Sequence, residues 1–407
     1  MKLENDPQHL NKTGIAQGDF PGQRTSPHNS FKTRGLLVAL LLLLSACGTS
    51  QPSPLVTPSP SMPAVQATQL PPTPLPALLF TQTPQPSLTP SITPTPLPPT
   101  ITPTTDPYAG LSVPDLVRRS YGGGDIQVMD TMAVNSYFTR TLIMYPSDGL
   151  SIYGFMNVPN AKRPGSGSDS SLAVPSYPVI IAIHGYIDPA IYQTLDYTTR
   201  YADALARAGF IVLHPNLRDY PPSDSGANLF RVGMAVDVLN LIAIVKEQAG
   251  KPGPLEMADP NLIGLWGHSM GGGITTRVIT VSSDVKAAVL YGAMSGDELK
   301  NYERIFSYFS PGTRGIEELA APPDVFPRVS PINYLNRIQA AVSINHGEND
   351  PDVPPAWSQD LYLRLKDLGK TVEYYTYPNQ GHTFHGEGDV LFMQRMIDFF
   401  NRYMKDR

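Results

Sequence analysis

The run Pro178-Val-Ile-Ile-Ala-Ile-His-Gly185 has no polar face. Successive side chains of a strand point to opposite sides, so a run apolar at every position is the kind buried on both faces of a parallel sheet. Phe210-Ile-Val-Leu-His214 reads the same way, and Leu262–Trp266, Val285–Tyr291, Ala340–His346 and Thr371–Tyr377 add further strands. Between them the spacing predicts helices over Tyr197–Ala208, Phe230–Gln248, Gly271–Val281, Pro355–Leu368 and Asp389–Lys405. Strands alternating with helices predict an α/β fold, a doubly wound and mostly parallel sheet. Ahead of this region, Arg140–Tyr145 and Ile152–Val158 flank Ser147-Asp148-Gly149, a hairpin turn signal. The Gly/Ser-rich Pro164–Ser171 reads as a surface loop. With 407 residues, 41% of them hydrophobic, the chain can build one core of up to about 300 residues or two smaller ones. A net charge of −5, with no basic block or stripe, argues against a nucleic-acid partner.

The N-terminal part cannot belong to that core. Of 43 prolines, 18 fall between residues 51 and 107, a stretch whose single charged residue is Asp106. Thr-Pro steps such as Pro90-Ser-Ile-Thr-Pro-Thr-Pro-Leu-Pro98 favour extended polyproline II. Fully extended at ~3.1 Å per residue, the stretch would reach on the order of 180 Å. It reads as a stalk or spacer, with plain disorder as the alternative. Upstream, Lys32 and Arg34 precede an apolar run from Leu36 to Leu44, too short to span a bilayer and suited to a signal-peptide core. Leu44-Ser45-Ala46-Cys47 resembles the lipobox of bacterial lipoproteins. The resemblance implies cleavage before Cys47, a thioether-linked lipid on its sulfur, and a protein held at the membrane facing outside the cytoplasm. A plain secretory signal is the alternative. The residues ahead of Lys32 exceed a usual n-region, which a misassigned upstream start codon would explain. Cys47 is the sole cysteine, so no disulfide forms within the chain. The expected organisation is a signal region over residues 1–46, a stalk over 47–107 and one folded domain over 108–407.

Within that domain, Gly264-Leu-Trp-Gly-His-Ser-Met-Gly-Gly-Gly273 fences one serine with glycines, between an expected strand and an expected helix. A glycine-rich turn is one reading. The other is a tight strand-to-helix elbow that lifts Ser269 as a nucleophile, and the strand–helix context favours it. A serine hydroxyl needs a base to take its proton and a carboxylate to orient that base. Two loops downstream offer these in order, each following a strand: His346-Gly-Glu-Asn-Asp-Pro-Asp-Val-Pro354 and Tyr377-Pro-Asn-Gln-Gly-His-Thr-Phe384. Residues 296–333 break the alternation with an aromatic helical stretch, Gly296–Phe309, and a proline-rich segment. They are expected to form a cap that shapes the cleft. The alternative is a packing helix away from the site.

From about residue 139 to 407 the chain resembles the α/β-hydrolase superfamily, and most closely the catalytic domain of prolyl-oligopeptidase-like (peptidase S9) serine hydrolases. The residues that carry this are Ser147–Gly154, His184-Gly-Tyr186, Gly267-His-Ser-Met-Gly271, His346-Gly-x-x-Asp350-x-x-Val353 and Gly381-His382. The resemblance implies Ser269 as nucleophile, Asp350 as orienting acid and His382 as general base. Asp352 and Glu348 are the rival acids and His385 the rival base. It further implies an oxyanion hole built from the backbone N–H of Met270 and a donor from Tyr186, either its N–H or its hydroxyl. His184, His214 and His346 are expected to be structural. No metal-binding pattern appears, so neither metal nor cofactor is expected.

Departures from the family bear on substrate. Only about 30 residues separate the proline-rich stretch from the first hydrolase strand, which leaves no room there for the β-propeller of the family's peptidases. Exopeptidase specificity therefore does not carry over. The Gly-His-Ser-Met-Gly-Gly elbow also occurs in esterases and cutinase-like polyester hydrolases. The expected function is hydrolysis of peptide or ester acyl bonds. A catalytically silent cell-envelope binding protein that reuses the fold is the alternative of another class. The oligomeric state is left open.

Overall fold

The computed structural model describes residues 106–160 and 176–406. Cys47 with the Leu44–Ala46 residues before it and nearly all of the proline-rich stretch lie outside the described residues, as does Pro164–Ser171, which was expected as a surface loop. The continuous apolar runs form the middle of a nine-stranded sheet. In chain order its strands are β1 (Gln127–Val134), β2 (Phe138–Ser147), β3 (Leu150–Pro159), β4 (Tyr177–Ile183), β5 (Ile211–Pro215), β6 (Ala258–His268), β7 (Val285–Tyr291), β8 (Ala341–Gly347) and β9 (Val372–Tyr377). Their spatial order is β1-β2-β3-β5-β4-β6-β7-β8-β9. The first three pair antiparallel and β3 meets β5 antiparallel; every later pairing is parallel. Asp148 and Gly149 both have positive φ, 52° and 82°, the turn geometry that matches strand twist and closes the β2–β3 hairpin.

The helices are α1 (Val113–Arg118), α2 (Thr199–Arg207), α3 (Val232–Gln248), α4 (Met270–Val281), α5 (Glu298–Arg304), α6 (Ile316–Leu319), α7 (Val325–Val329), α8 (Pro355–Asp367) and α9 (Gly386–Met404). Alternate residues of β4 enter two different cores. Val179, Ile181 and Ile183 pack with α3, α4 and α8 on one face. Ile180 and Ala182 pack with α2 and α9 on the other. That two-sided burial is why β4 has no polar face. Burying each large apolar side chain contributes about 1.5–3 kcal/mol. On α9, Phe392, Met396, Phe399, Phe400 and Met404 recur at helical spacing and face the sheet.

Residues between β7 and β8 leave the sheet and form α5, α6 and α7. The stretch expected as one helix over 296–309 is regular only through α5. It continues as a π-helical turn, Ile305–Phe309, in which no residue is buried. Apolar contacts hold the insertion down: Tyr302 of α5 and Val325, Phe326 and Val329 of α7 cluster with Leu116, Phe230 and Val236. Glu298 adds a buried ionic tie, bonded to Arg277 of α4 at 2.5 Å and to Arg231 at 3.1 Å. Besides the short helices α6 and α7 of the insertion, two elements were not anticipated. The edge strand β1 is exposed along nearly its whole length and is broken by two register irregularities, so it carries no alternating pattern. The six-residue α1 is too short for periodicity and begins at Ser112, whose hydroxyl accepts from the Asp115 N–H at 3.1 Å.

Candidate active site

Ser269 stands between the last residue of β6 and the first of α4, with φ 54° and ψ −117°. Such a conformation costs a non-glycine residue about 1–3 kcal/mol and persists only where its surroundings impose it. Here they do. Its N–H donates to the Tyr291 carbonyl at 3.0 Å, and its own carbonyl accepts from Gly272, Gly273 and Met294 at 3.0, 3.2 and 3.0 Å. The glycines answer to close approach. A Cβ on Gly267 would stand 2.3 Å from the Gly271 carbonyl oxygen, and one on Gly271 would stand 2.2 Å from that of Ile183. As the first residue of α4, Met270 has no intrahelical acceptor for its N–H.

Asp350 and His382 come from the loops after β8 and β9. Those loops touch, since a Cβ on Gly347 would lie 2.3 Å from the Gly381 carbonyl oxygen. Asp350 Oδ2 accepts from His382 Nδ1 at 2.8 Å and lies 3.1 Å from His346 Nε2, while Oδ1 accepts from the N–H groups of Asp352 and Val353, both at 2.9 Å. Burial alone would push the Asp350 carboxyl up. Hydrogen bonds from His346 and His382, with the charge on His382, outweigh it and hold the carboxyl below the ordinary carboxylate range. His346 is buried and also reaches Ser358 Oγ at 2.6 Å and the Val353 carbonyl at 2.9 Å. Glu348 and His385 sit elsewhere. Glu348 accepts from Thr376 Oγ1 at 2.9 Å, and His385 is exposed at the start of α9. Asp352 lines the cleft, but its carboxylate accepts from the Tyr308 hydroxyl at 3.3 Å.

The end of β4 passes beside the elbow. A Cβ on Gly185 would stand 2.1 Å from the Tyr197 hydroxyl and 3.2 Å from Ser269 Cβ, so only glycine lets the chain through. His184 is buried, with Nδ1 2.7 Å from the Gly185 carbonyl and Nε2 2.8 Å from that of Asn216. Tyr186 is 46% exposed, and its ring lies under the Arg314 guanidinium at 4.2 Å. The N–H groups of Met270 and Tyr186 find no protein acceptor among the described residues. The hydroxyl packed beside the elbow belongs to Tyr197, which bonds His268 Nδ1 at 2.6 Å. Sequence reasoning gave no role to Tyr197, His268 or Arg314.

Ser269, Met270 and His382 open into a cleft of about 470 Å³. Tyr186, Tyr220, Met234 and Met294 form much of its apolar wall, and the insertion contributes Tyr302, Ile305, Phe309, Arg314 and Glu318. Ligand atoms of Asp350, Asp352 and His382 lie within 4.8 Å of one another. His382 Nδ1 and Asp350 Oδ2 are spent on each other, however, and Asp350 Oδ1 on two backbone N–H groups. In chemical terms the cleft brings together a hydroxyl on a strained elbow and an imidazole oriented by a carboxylate, with Met270 and Tyr186 in its lining.

Residues 243–407 match the prolyl oligopeptidase family, Peptidase_S9. The uncharacterized peptidase YuxL of Bacillus subtilis is 24% identical over 214 residues, which cover 52% of this chain and 32% of that protein. Esterase LipQ of Mycobacterium tuberculosis is 28% identical over 164 residues, covering 37% of this chain and 38% of that one. The chain thus spans about a third of the length of these curated relatives. Among solved structures, the acylaminoacyl peptidase of Pyrococcus horikoshii shares the fold with a TM-score of 0.53 at 22% identity, over 67% of this chain and 43% of that one. The chain is thus similar to the prolyl oligopeptidase family over residues 243–407, and it shares the α/β fold of the acylaminoacyl peptidase.

Proposed function

We propose that the protein is a serine hydrolase that cleaves acyl bonds through Ser269, His382 and Asp350. The observation that carries this reading is the His382–Asp350 bond of 2.8 Å in the same cleft as the strained Ser269. His382 Nε2 takes the Ser269 proton as Oγ attacks the acyl carbon, and Asp350 holds Nδ1–H and stabilises the imidazolium. The N–H groups of Met270 and Tyr186 receive the oxyanion. His382 then returns the proton to the leaving group, and water repeats the steps to free the acid. The match of residues 243–407 to the Peptidase_S9 family supports a peptide substrate. An ester substrate is the second reading, supported by the likeness to an esterase.

A fluorophosphonate probe should label the parent and not Ser269→Ala, and a labelled Ser269→Ala would overturn the nucleophile assignment. Ser269→Ala and His382→Ala should each lower kcat by about 10⁴-fold or more, and together hardly further, because the groups act as a unit. p-Nitrophenyl esters assayed beside short chromogenic peptides separate the two substrate classes. Export and lipid anchoring at Cys47 are part of the same proposal, resting on Leu44-Ser45-Ala46-Cys47. Cys47→Ser should abolish labelling by a palmitate analogue, and retained label would sink the anchor.

A further inference from the structure

His268 precedes the nucleophile and takes no part in the proton transfers proposed above. Its ring is buried, and both nitrogens are committed. Nε2 lies 2.9 Å from the backbone oxygen of His382. A carbonyl oxygen only accepts, so Nε2 carries the hydrogen. Nδ1 is then the acceptor, and the Tyr197 hydroxyl donates to it at 2.6 Å. The ring stacks against Tyr291 at 4.1 Å and lies tilted against His382 at 4.6 Å between centroids. Tyr291 serves the same segment, because its hydroxyl accepts from the Phe384 N–H at 2.5 Å. Its carbonyl meanwhile holds the Ser269 N–H. The segment that carries His382 is thus gripped at residues 382 and 384 by side chains from the ends of β6 and β7.

We infer that Tyr197 and His268 are a positioning pair for the general base: His268 Nε2–H holds the backbone of His382, and the Tyr197 hydroxyl holds His268 in the tautomer that can do so. The inference rests on the Ser269–His382–Asp350 reading. Gly185 belongs to the arrangement, since the Tyr197 hydroxyl occupies the place where a Cβ would stand. Burial, and next the nearby His382, push the His268 imidazole down to about 3. It therefore stays neutral while His382 gains charge during turnover. A second imidazolium at that distance would oppose that charge.

Two amide substitutions separate the two nitrogens. His268→Gln puts an amide nitrogen near the place of Nε2 and keeps a donor for the His382 carbonyl. His268→Asn puts one near Nδ1 and leaves that carbonyl without a donor. Both are made in the full chain and assayed with the p-nitrophenyl ester that the parent hydrolyses. His268→Gln should stay within about 5-fold of the parental kcat, and His268→Asn should lose roughly 10- to 100-fold in kcat with KM unchanged, the scale of a small misplacement of a reacting group. Equal kcat for the two variants, whether high or low, overturns the inference. Should His268→Asn fail to fold, Tyr197→Phe decides, with a lowered kcat expected at an unchanged thermal midpoint and a parental kcat against the proposal. Parental activity in His382→Ala would bring down the triad reading and this inference with it. An inactive His382→Ala beside a fully active His268→Asn would bring down the inference alone.

Discussion

At Ser269 the strain, the glycines and the hydrogen bonds are one arrangement. A φ of 54° is imposed by a carbonyl that accepts from three N–H groups, while Gly267 leaves room for the chain to turn back on itself and Gly271 for the end of β4 to pass. The Gly272 and Gly273 donors and the approach of Gly267 to Gly271 are local, so the spacing of glycines around one serine made the elbow legible; the contacts with Met294 and Ile183 were not. The partners of His268 were not legible, because they lie 71 and 114 residues away and their residue types carry no pattern. Tyr186 was legible as a position but not as a group, since either its N–H or its hydroxyl could serve. Its ring sits under Arg314 and nearly half exposed, an arrangement that suits a wall residue. Tyr186→Phe should therefore leave kcat within a few-fold of the parent, because the backbone donor is untouched. A kcat loss of about 10²–10³-fold at constant KM and thermal stability would instead assign the hydroxyl to the oxyanion.

Elements buried on both faces wrote themselves into the sequence as unbroken apolar runs, and β4, β5, β7 and β8 all have this origin. Elements that meet water did not. The edge strand β1 and the π-helical turn lack a buried stripe, so periodicity had nothing to register. The insertion between β7 and β8 depends on contacts that sequence does not display, above all Glu298. This carboxylate is buried between Arg277 and Arg231 and also accepts from Asn301 Nδ2 at 3.0 Å. Removing it leaves two guanidinium groups buried without their counterion. Glu298→Ala should cost about 3–5 kcal/mol in a urea titration, the range for breaking a buried ion pair. Because Arg231 and Tyr302 line the cleft, KM should rise with it. A loss below about 1 kcal/mol would mean that apolar packing alone holds the insertion.

The molecule as a whole buries histidine where its sheet meets the helices. His184 follows β4, His214 lies in β5 and His268 ends β6, and all three are buried. Burial is the leading cause that pushes each of them below the ordinary histidine value, with neighbouring histidines adding to it for His214 and His268. Below about pH 6.5 the unfolded chain binds a proton at each, whereas the folded chain does so only at lower pH, well lower for His214 and His268. Stability from these groups is therefore full above that pH and falls as the pH drops. The slope is about 1.4 kcal/mol per pH unit for each histidine, and about 4 for three at most. Asp350 adds to the fall in stronger acid: its folded carboxyl is held low, so its contribution is present above about pH 4 and is lost as the pH falls through the folded value. The urea midpoint should be level between pH 7.5 and 8 and should drop steeply from pH 6.5 to 5, with the slope of the transition unchanged. His214→Asn, if it folds, should flatten that drop by about a third or more, since His214 is one of the two most strongly depressed histidines. A midpoint that does not move between pH 7 and 5 would show that the folded state takes up these protons as readily as the unfolded chain.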